Sequence, residues 1–570
     1  MKRAWVVSLV LASALPGAPA SAASAEYRNP ILFADYSDPD VIRVGARYYM
    51  TASSFHFSPG LPLLESRDLV HWRLIGHALP KLTFDAKYDL PGPLGFSDGS
   101  ERARFFAAMG HRYSAGVWAP ALRFHDGHFY IYFPTPTEGI FMVSAKKPEG
   151  PWTAPVAVIA GPGLEDPCPF WDDDGKAWLI HSRVGAGPLI LHRMSADGTK
   201  VLDAGQVIVE DPVNLPVLEG PKLLKRNGWY YIFAPFGGVE QGPQAVLRSK
   251  DIHGPYEVRT VLAPGNTPIQ GPHQGGYVET PKGAGWFVHF NSTGAFGRIV
   301  HLQPVRWVDD WPLIGDPVEG STTTGQPVLT HAVPDVGRTW KPVALQASDE
   351  FSARKLGVQW EWNHNPLDAN WSLATRPGFL RLEATRAVDF LAARNTLTQV
   401  LQGPAMEVTT SMDIDGMRDG QRAGLGVLQV QPNWIGVVMS GGMPYLTWSS
   451  AGAMVRGPGL QGSPVVLRLR VADQMVSYEF STDDGVSFTP WGDPVKLRFS
   501  WWKGARPALF SFNPAGGEPG YADFDWVHVK VGAQPSDQGA SCFTAKEIGR
   551  PTSSMWTRSP CTSAVYSNGP

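Results

Sequence analysis

Several features that would identify other classes of protein are scarce or missing in this sequence. Its 570 residues include only three cysteines, and their spacing does not resemble a zinc site. No segment beyond the N-terminus reaches the roughly 20 consecutive apolar residues that a transmembrane helix requires. Lys and Arg (49) nearly balance Asp and Glu (52), so the charge pattern indicates neither a nucleic-acid surface nor an acidic disordered tail. Walker A and H-E-x-x-H motifs are also absent, which leaves P-loop nucleotide-binding and zinc-protease functions without support.

The first 25 residues are typical of a secretory signal peptide. Two cations precede a short apolar run, and small residues suitable for cleavage follow at 20–25. The sequence therefore predicts a secreted or periplasmic protein. In that oxidising environment Cys542 and Cys561 could form a disulfide that closes the polar tail over residues 534–570, although two free thiols on a frayed terminus are the alternative.

A five-fold internal repeat indicates the architecture. Gly (61) and Pro (51) are abundant, aromatic residues make up 11% of the chain, and Asp-Gly or Asn-Gly pairs recur between alternating apolar segments. Each copy has a proline at its start, a strand, a tight turn, an aromatic strand and a further β-rich half. About 50 residues per four-stranded sheet is typical of a propeller blade. The sequence thus predicts an all-β protein with a five-bladed β-propeller over residues 26–315, whose copies begin DPDVIRV (38–44), APALRF (119–124), DPCPFW (166–171), GPKLLK (220–225) and GPHQGG (271–276).

Carboxylates recur at the start of these copies. The first strand of each propeller blade lines the central shaft, so positions that are distant in sequence should meet there. Asp38, Asp166 and Glu219 take this position in blades one, three and four. A single carboxylate before a proline is usually a turn former, but three in one pit would repel each other and raise at least one pKa. We interpret the set as functional, although strand alternation does not separate Asp38 from Asp40.

Paired carboxylates of this kind are the catalytic groups of glycoside hydrolases. One group with a raised pKa protonates the departing oxygen, and an ionised partner either activates water or attacks the sugar. The distance between the two decides between inversion and retention, and a sequence supplies no distance.

At these residues the sequence resembles glycoside hydrolase family 43, the five-bladed propeller β-xylosidases and α-L-arabinofuranosidases. The family's Asp-Pro motif before the first strand matches Asp38, which the resemblance implies is the general base, in preference to Asp40. Its second motif matches Asp166, implied to orient the acid and tune its pKa, and its E-G-P motif matches Glu219, implied to be the general acid. The implied activity is inverting, exo-acting release of xylose or arabinose from xylan, arabinoxylan or arabinan chains of the plant cell wall.

The resemblance also implies substrate-binding residues. Arg298 matches an arginine that binds the sugar at the cleavage subsite, with an exposed ion-pairing arginine as the alternative. His273 resembles an axial histidine that in some members contacts the catalytic site or a calcium ion; a plain shaft-lining histidine is the alternative. Phe55, His56 and Trp118 are expected at the pocket rim, although Trp118 is equally consistent with packing inside a blade.

A second domain follows the propeller. Residues 316–345 are rich in Pro, Gly and Thr and indicate a linker, and short alternating strands over 346–533 predict a β-sandwich. QWEWNHNP and DFDW resemble the concanavalin-like C-terminal domain of the family's β-xylosidases, which packs on the propeller. No cofactor is expected for catalysis, but Asp349, Asp523 and Asp525 could hold a structural calcium ion.

Two other functions stay open at this point. A noncatalytic carbohydrate-binding propeller would share the fold, but the full set of three carboxylates disfavours it. A retaining, invertase-like fructan hydrolase would also carry an early Asp-Pro, but its motifs are typically N-D-P-N-G and E-C-P. The sequence has S-D-P-D at 37–40 and E-G-P at 219–221, which favours inversion.

Overall fold

The structure is a computed structural model that describes residues 25–90, 111–338 and 340–532. Almost the whole predicted signal peptide, the polar tail with Cys542 and Cys561, and part of the insertion in blade one lie outside the described residues. Within the described ranges, helices are limited to three short 3-10 turns, Ala86–Asp89, Gly294–Phe296 and Asp368–Asn370. None of these is long and apolar enough to cross a membrane.

Five antiparallel sheets form the predicted five-bladed propeller. Period-two alternation of large apolar residues builds each strand, and Gly-containing turns join them. The first strands of blades one to four contact one another in succession around the centre; the first strand of blade five contacts the second strand of blade four and closes against the first strand of blade one. In chain order the blades contain Asp40–Val44, Arg47–Thr51, Gly60–Ser66 and Trp72–Leu79; Ala121–His125, His128–Thr135, Gly139–Ala145 and Val156–Ala160; Leu164–Trp171, Ala177–Arg183, Leu189–Met194 and Gln206–Val209; Lys222–Arg226, Trp229–Pro235, Gln244–Ser249 and Glu257–Leu262; His273–Glu279, Gly285–Ser292, Arg298–Val308 and Trp311–Ile314.

The residue before the first proline of a blade repeatedly adopts a left-handed backbone. Asp38, Asp166, Gly220 and Gly271 all precede a proline and have φ values of 53°, 55°, 59° and 57°. Few residues other than Gly, Asn and Asp tolerate this conformation. The equivalent of Asp38 in blade four is therefore Gly220, and the predicted equivalence of Glu219 is wrong by one residue. Glu219 reaches the shaft from the residue before the turn.

The segment predicted as a linker contributes short strands to the propeller. Asp316–Pro317 and Gly325–Gln326 extend the sheet of blade four, and Thr330–Ala332 pairs with Glu26–Arg28 near the N-terminus. Strands of two or three residues between Pro and Gly turns are too short to show alternation, so the sequence pattern did not reveal them.

The second domain is the predicted β-sandwich, with two sheets packed around an apolar core. Residues on the inner faces, such as Leu425 and Leu467, are fully buried. One sheet contains Ala453–Gly459, Met443–Ser450, Asn433–Ser440, Arg422–Leu428, Arg506–Asn513, Leu397–Thr398 and Glu361–Asn363, with Thr385–Arg386 beside it; the other contains Trp371–Ser372, Leu380–Glu383, Tyr521–Val531, Met406–Asp413, Val465–Ala472, Met475–Ser481 and Thr489–Pro490, with Val495–Lys496 beside it.

The two domains share a sheet. Phe57–Ser58, from the loop between two strands of blade one, pairs antiparallel with Glu361–Asn363 at the end of the first sandwich sheet. A sandwich loop, residues 499–504, also enters the propeller close to the start of its first blade. The sandwich is therefore joined to the part of the propeller that carries Asp38.

Ring closure between blades five and one should depend on Gly276. A Cβ atom at Gly276 would lie 2.8 Å from Oδ1 of Asp40 and 2.8 Å from the backbone nitrogen of Val41. We expect Gly276→Ala to lower the free energy of unfolding by about 1–3 kcal/mol, because the buried Asp40 cannot move away freely. Urea denaturation followed by tryptophan fluorescence measures this. Gly459→Ala is the matched control, since a Cβ atom there would lie 3.7 Å from its nearest neighbour. Equal losses in the free energy of unfolding for the two variants would contradict tight packing between blades five and one.

Candidate active site

Asp38 lies at the start of blade one with both carboxylate oxygens engaged. The guanidinium of Arg298 donates to Oδ1 at 2.9 Å, and the hydroxyl of Ser53 donates to Oδ2. Arg298 comes from blade five and Ser53 from the end of the second strand of blade one. Three separate segments thus fix the orientation of this buried carboxylate.

Asp40, two residues further along, belongs to a different contact. Its Oδ2 accepts from the guanidinium of Arg123 at 2.7 Å and from the backbone of Leu122 at 2.8 Å. Arg123 also donates to Sγ of the buried Cys168 at 2.9 Å, so blades one, two and three are linked at this level of the shaft. The structure thereby separates the two aspartates that alternation could not distinguish, because Asp40 is committed to an ion pair between blades.

Three further carboxylates cluster on the other side of the shaft. Oxygens of Glu165, Asp166 and Glu219 lie within 4.8 Å of one another. The backbone nitrogen of Gly220 donates to Oδ2 of Asp166 at 2.7 Å. Burial and the negative charges of its neighbours raise the pKa of Asp166, and Asp38 is among those neighbours. Side chains from blades one, three and four therefore share one electrostatic environment, as the repeat predicts.

Glu165 is a member of this cluster that the sequence analysis did not identify. Burial, followed by repulsion from Asp166 and Glu219, raises its pKa strongly. Its Oε1 accepts from the backbone of Ala186 at 3.2 Å. Its position directly before the Asp-Pro motif was the available signal, but a carboxylate adjacent to another is common in solvated turns.

Glu219 combines a fixed hydrogen bond with access to solvent. Nε2 of His273 lies 2.7 Å from its Oε1, and the histidine itself is fully buried. The side chain of Glu219 is 16% exposed, against 5% for Asp38. Among the carboxylates that the sequence analysis singled out, Glu219 is thus better placed than Asp38 to meet a molecule that enters from solvent.

Two buried cations face these carboxylates. Arg298 is only 5% exposed, so the alternative of an exposed ion-pairing arginine is wrong. Its guanidinium lies 4.9 Å from the ring centroid of Phe290 and 5.6 Å from that of Trp502. Lys222, at the start of the first strand of blade four, is also buried, and its charge lowers the pKa of Asp166 against the repulsion of the other acids. No sequence motif pointed to Lys222.

Phe55 and Trp118 lie together where blades one and two meet. Their ring centroids are 6.4 Å apart, and the residue pair Phe55 and Val117 forms a β-bridge. Trp118 remains partly exposed while its indole nitrogen donates to the carbonyl of Ser114 at 2.7 Å. Phe55 is only 2% exposed, so it does not lie at a rim as predicted, because its ring packs in the junction of the two blades, whereas Trp118 keeps part of its indole accessible.

His56 does not lie at the rim, where the sequence analysis placed it. Its side chain is fully buried between the domains, with its ring centroid 4.7 Å from that of Tyr113 and 4.9 Å from that of His364. Burial lowers its pKa well below the ordinary value, so the ring is neutral. The left-handed turn at Phe55, with φ of 51°, sends the next side chain towards the sandwich instead of the pocket.

The sandwich contributes residues to this region that the sequence analysis did not predict. In the loop over 499–504, Trp502 is 37% exposed beside Arg298, whereas Lys503 is buried against the chain that precedes Asp38. The Trp-Trp-Lys-Gly run at 501–504 matches no motif that would mark it as part of a site. Only the docking of the two domains gives these residues a place at the site.

Two of the three carboxylates proposed for calcium, Asp349 and Asp523, have other partners. Asp523 forms ion pairs with Arg381 at 2.8 Å and Arg376 at 3.2 Å, and Asp349 accepts the indole N–H of Trp360 at 2.8 Å. Two arginines neutralise the carboxylate that a calcium ion would need, so this donor set does not fit the ion well. The calcium site stays a prediction.

Comparison with known proteins agrees with this geometry. Residues 27–89 and 98–312 match the model of glycosyl hydrolases family 43, and residues 348–530 match that of the beta-xylosidase C-terminal concanavalin A-like domain. A putative beta-xylosidase of Xylanibacter ruminicola is 45% identical over 68% of this chain and 69% of its own length. A beta-xylosidase of Formosa agariphila is 34% identical over 92% of this chain and 94% of its own length. A bifunctional GH43-CE protein of Bacteroides eggerthii superimposes with a TM-score of 0.77 at 30% identity over 90% of this chain, which spans 64% of that protein.

The raised pKa of Asp166 predicts a pH-dependent gain in stability when its charge is removed. Because the folded pKa lies above the unfolded one, the stabilising contribution is full below the unfolded pKa and is lost as pH rises through the folded pKa. We therefore expect Asp166→Asn to be more stable than the unaltered protein at pH 8, by roughly 1–3 kcal/mol, and nearly equal to it at about pH 3. Thermal unfolding at the two pH values measures this.

Asp172→Asn is the control of opposite sign. Asp172 accepts from Nζ of Lys225 at 2.6 Å, and its pKa is lowered by hydrogen bonds that outweigh its partial burial. Its contribution is present above the unfolded pKa and lost as pH falls through the folded pKa, so the substitution should destabilise at pH 8 and matter little in acid. An Asp166→Asn protein no more stable than the unaltered one at pH 8 would contradict repulsion within the cluster.

Proposed function

Because the chain belongs to glycosyl hydrolases family 43, and is therefore a glycoside hydrolase, we propose that it is an inverting, exo-acting enzyme that releases pentose from xylan-, arabinoxylan- or arabinan-derived chains. The proposal rests on one observation: Asp38, Asp166 and Glu219 come from three different blades, yet their carboxylates lie around one shaft. A secreted protein, as the N-terminal sequence predicts, would meet such chains outside the cell. Two carboxylates supply the chemistry of glycoside hydrolysis, and the reaction requires no cofactor.

The proposed roles follow from the contacts of each carboxylate. Asp38, held by Arg298 and Ser53, is the base that takes a proton from the attacking water. Glu219, the more exposed group, is the acid that donates its proton to the departing glycosidic oxygen. Asp166 lies beside Glu219, and the repulsion between the two carboxylates contributes to the raised pKa of Asp166. Arg298 can bind sugar hydroxyls with the part of its guanidinium that Asp38 leaves free.

Xylose is the favoured product. The two relatives with the highest identities reported above are named beta-xylosidases, and the second is similar over nearly the full length of both chains. Hydrolysis rates on p-nitrophenyl β-xyloside and p-nitrophenyl α-arabinofuranoside distinguish the two pentoses. Absence of reducing sugar from arabinoxylan and from both aryl glycosides would favour the noncatalytic binding propeller instead.

The acid role of Glu219 predicts a dependence on the leaving group. We expect Glu219→Gln to lower kcat on xylobiose by about 10²–10⁴-fold, and to lower it much less on p-nitrophenyl xyloside, whose leaving group needs little protonation. Glu165→Gln is the matched control, because it removes a carboxylate from the same cluster. If Glu165→Gln showed the strong dependence on the leaving group and Glu219→Gln did not, the acid would be Glu165.

Inversion predicts the anomer that appears first. Proton NMR during the earliest turnover of a β-xyloside should show α-xylose, with β-xylose growing only at the rate of mutarotation. β-Xylose as the first product would mean retention. That result would contradict the role of Asp38 as a base acting on water and would favour the double-displacement chemistry of the invertase-like alternative.

A further inference from the structure

A lysine of the sandwich domain contacts the segments of blade one on either side of Asp38. Lys503 is 2% exposed, and its Nζ is 3.3 Å from both the carbonyl oxygen and Oδ2 of Asp35, which precedes Asp38 in blade one. The same Nζ lies 3.4 Å from Oγ of Ser37 and 3.2 Å from the carbonyl oxygen of Ser53. One ammonium group therefore joins the two segments of blade one that flank Asp38.

Each of these segments carries something that Asp38 needs. Ser53 donates its hydroxyl to Oδ2 of Asp38, and Ser37 is the residue immediately before Asp38. The backbone nitrogen of Ser53 also donates to the carbonyl of Ser37 at 3.0 Å. A shift of either segment would move the carboxylate, because Asp38 follows one of them in the chain and is hydrogen-bonded to the other.

Asp35 extends the connection to Arg298. Its Oδ1 accepts from the backbone nitrogen of Arg298 at 3.1 Å, and its Oδ2 accepts from the backbone nitrogen of Gly504 at 2.8 Å. Arg298 in turn donates to Oδ1 of Asp38 at 2.9 Å. Both oxygens of Asp38 are thus held by residues whose own positions depend on the contacts of Lys503 and its neighbour in the sandwich loop.

Attachment of the domains does not by itself account for Lys503. The pairing of Phe57–Ser58 with the sandwich sheet and the buried chain from His77 through Glu361 to Arg506 already join the two domains. Placing an ammonium group in an apolar interface is costly unless it is paired and hydrogen-bonded. The contacts of Lys503 are directed at the segments around Asp38, whereas Arg506 pairs with Glu361 and lies 3.7 Å from the ring centroid of Phe57.

We propose that Lys503, although it belongs to the sandwich, is a positioning residue for Asp38 that fixes the geometry of water activation in the propeller. The inference rests on the proposed role of Asp38 as the general base. It makes the sandwich a functional part of the catalytic centre through a side chain that need not touch the sugar. The positioning acts on the base and not on the acid, because Lys503 has no hydrogen bond or ion pair with Glu219.

The test is a double-mutant cycle between Lys503→Met and Asp38→Ala. We expect Lys503→Met to lower kcat about 10–100-fold, with little change in KM, because misplacement of a catalytic group by about 1 Å has an effect of this size. The loss should be equal on xylobiose and on p-nitrophenyl xyloside, unlike that of Glu219→Gln. In the Asp38→Ala background, Lys503→Met should lower kcat by less than about a further twofold, since the group that Lys503 positions is already gone. Multiplicative losses would overturn the proposal.

Arg506→Met is the matched control, a second buried cation at the same interface. It should lower thermal stability while kcat of the folded enzyme stays within about twofold of the original, and a loss as large as that of Lys503→Met would point to general damage to the interface. An Asp38→Ala protein with unchanged activity would refute the base and with it this inference. If Asp38→Ala is inactive and Lys503→Met is fully active, only the inference fails.

A second variant covers the case in which Lys503→Met does not fold. Removing the lysine alone leaves Asp35 as an unpaired buried charge, which can cost more than the fold tolerates. The double substitution Asp35→Asn with Lys503→Met removes both charges. The asparagine Oδ1 can still accept from the backbone of Arg298, but its amide nitrogen cannot accept from the backbone nitrogen of Gly504, so Asp35→Asn alone is the reference. Circular dichroism confirms folding, and the double variant should lose further kcat at nearly constant KM; a kcat equal to that of Asp35→Asn alone would overturn the proposal.

Discussion

Repulsion between like charges that are buried close together is the constraint on which the rest of this molecule depends. Asp38, Glu165, Asp166 and Glu219 would not remain together unless the surrounding chain held them there. Left-handed turns before proline set the two aspartates at the start of their blades, and cations from other blades balance part of the charge. The propeller supplies this restraint because the carboxylates are anchored in three different blades, with Glu165 and Asp166 in one strand of blade three, so that none can move away without disturbing a blade.

The second domain takes part in the same balance. Its loop over 499–504 brings one cation to Asp35, and an exposed indole, that of Trp502, beside Arg298. The pKa of Asp35 is lowered, because the charges of Lys503 and Arg506 and two backbone hydrogen bonds outweigh its burial. A segment of blade one in turn completes a sandwich sheet. Catalytic and accessory domains are therefore one structural unit around Asp38.

Repetition and periodicity made the blades, and the positions of Asp38 and Asp166, predictable from the sequence. The predicted equivalence of Glu219 with Asp38 was wrong by one residue. The repeated feature is the left-handed backbone before proline, which falls at Gly220, and not the carboxylate. His56 was placed wrongly because the sequence does not show which way the chain turns after Phe55. Lys503 could not be predicted, since its partners lie more than 400 residues away and contacts between domains leave no local pattern.

The strand Phe57–Ser58 has a consequence for how such enzymes can be recombined. Because a piece of the propeller finishes a sheet of the other domain, a cut between them leaves backbone donors and acceptors unsatisfied on both sides. If the sandwich domain were exchanged for that of a relative, this shared sheet would form only if the incoming domain had an edge strand able to pair with Phe57–Ser58. Selection would then act on the pair of domains together, and a change in one domain would be inherited with its counterpart in the other.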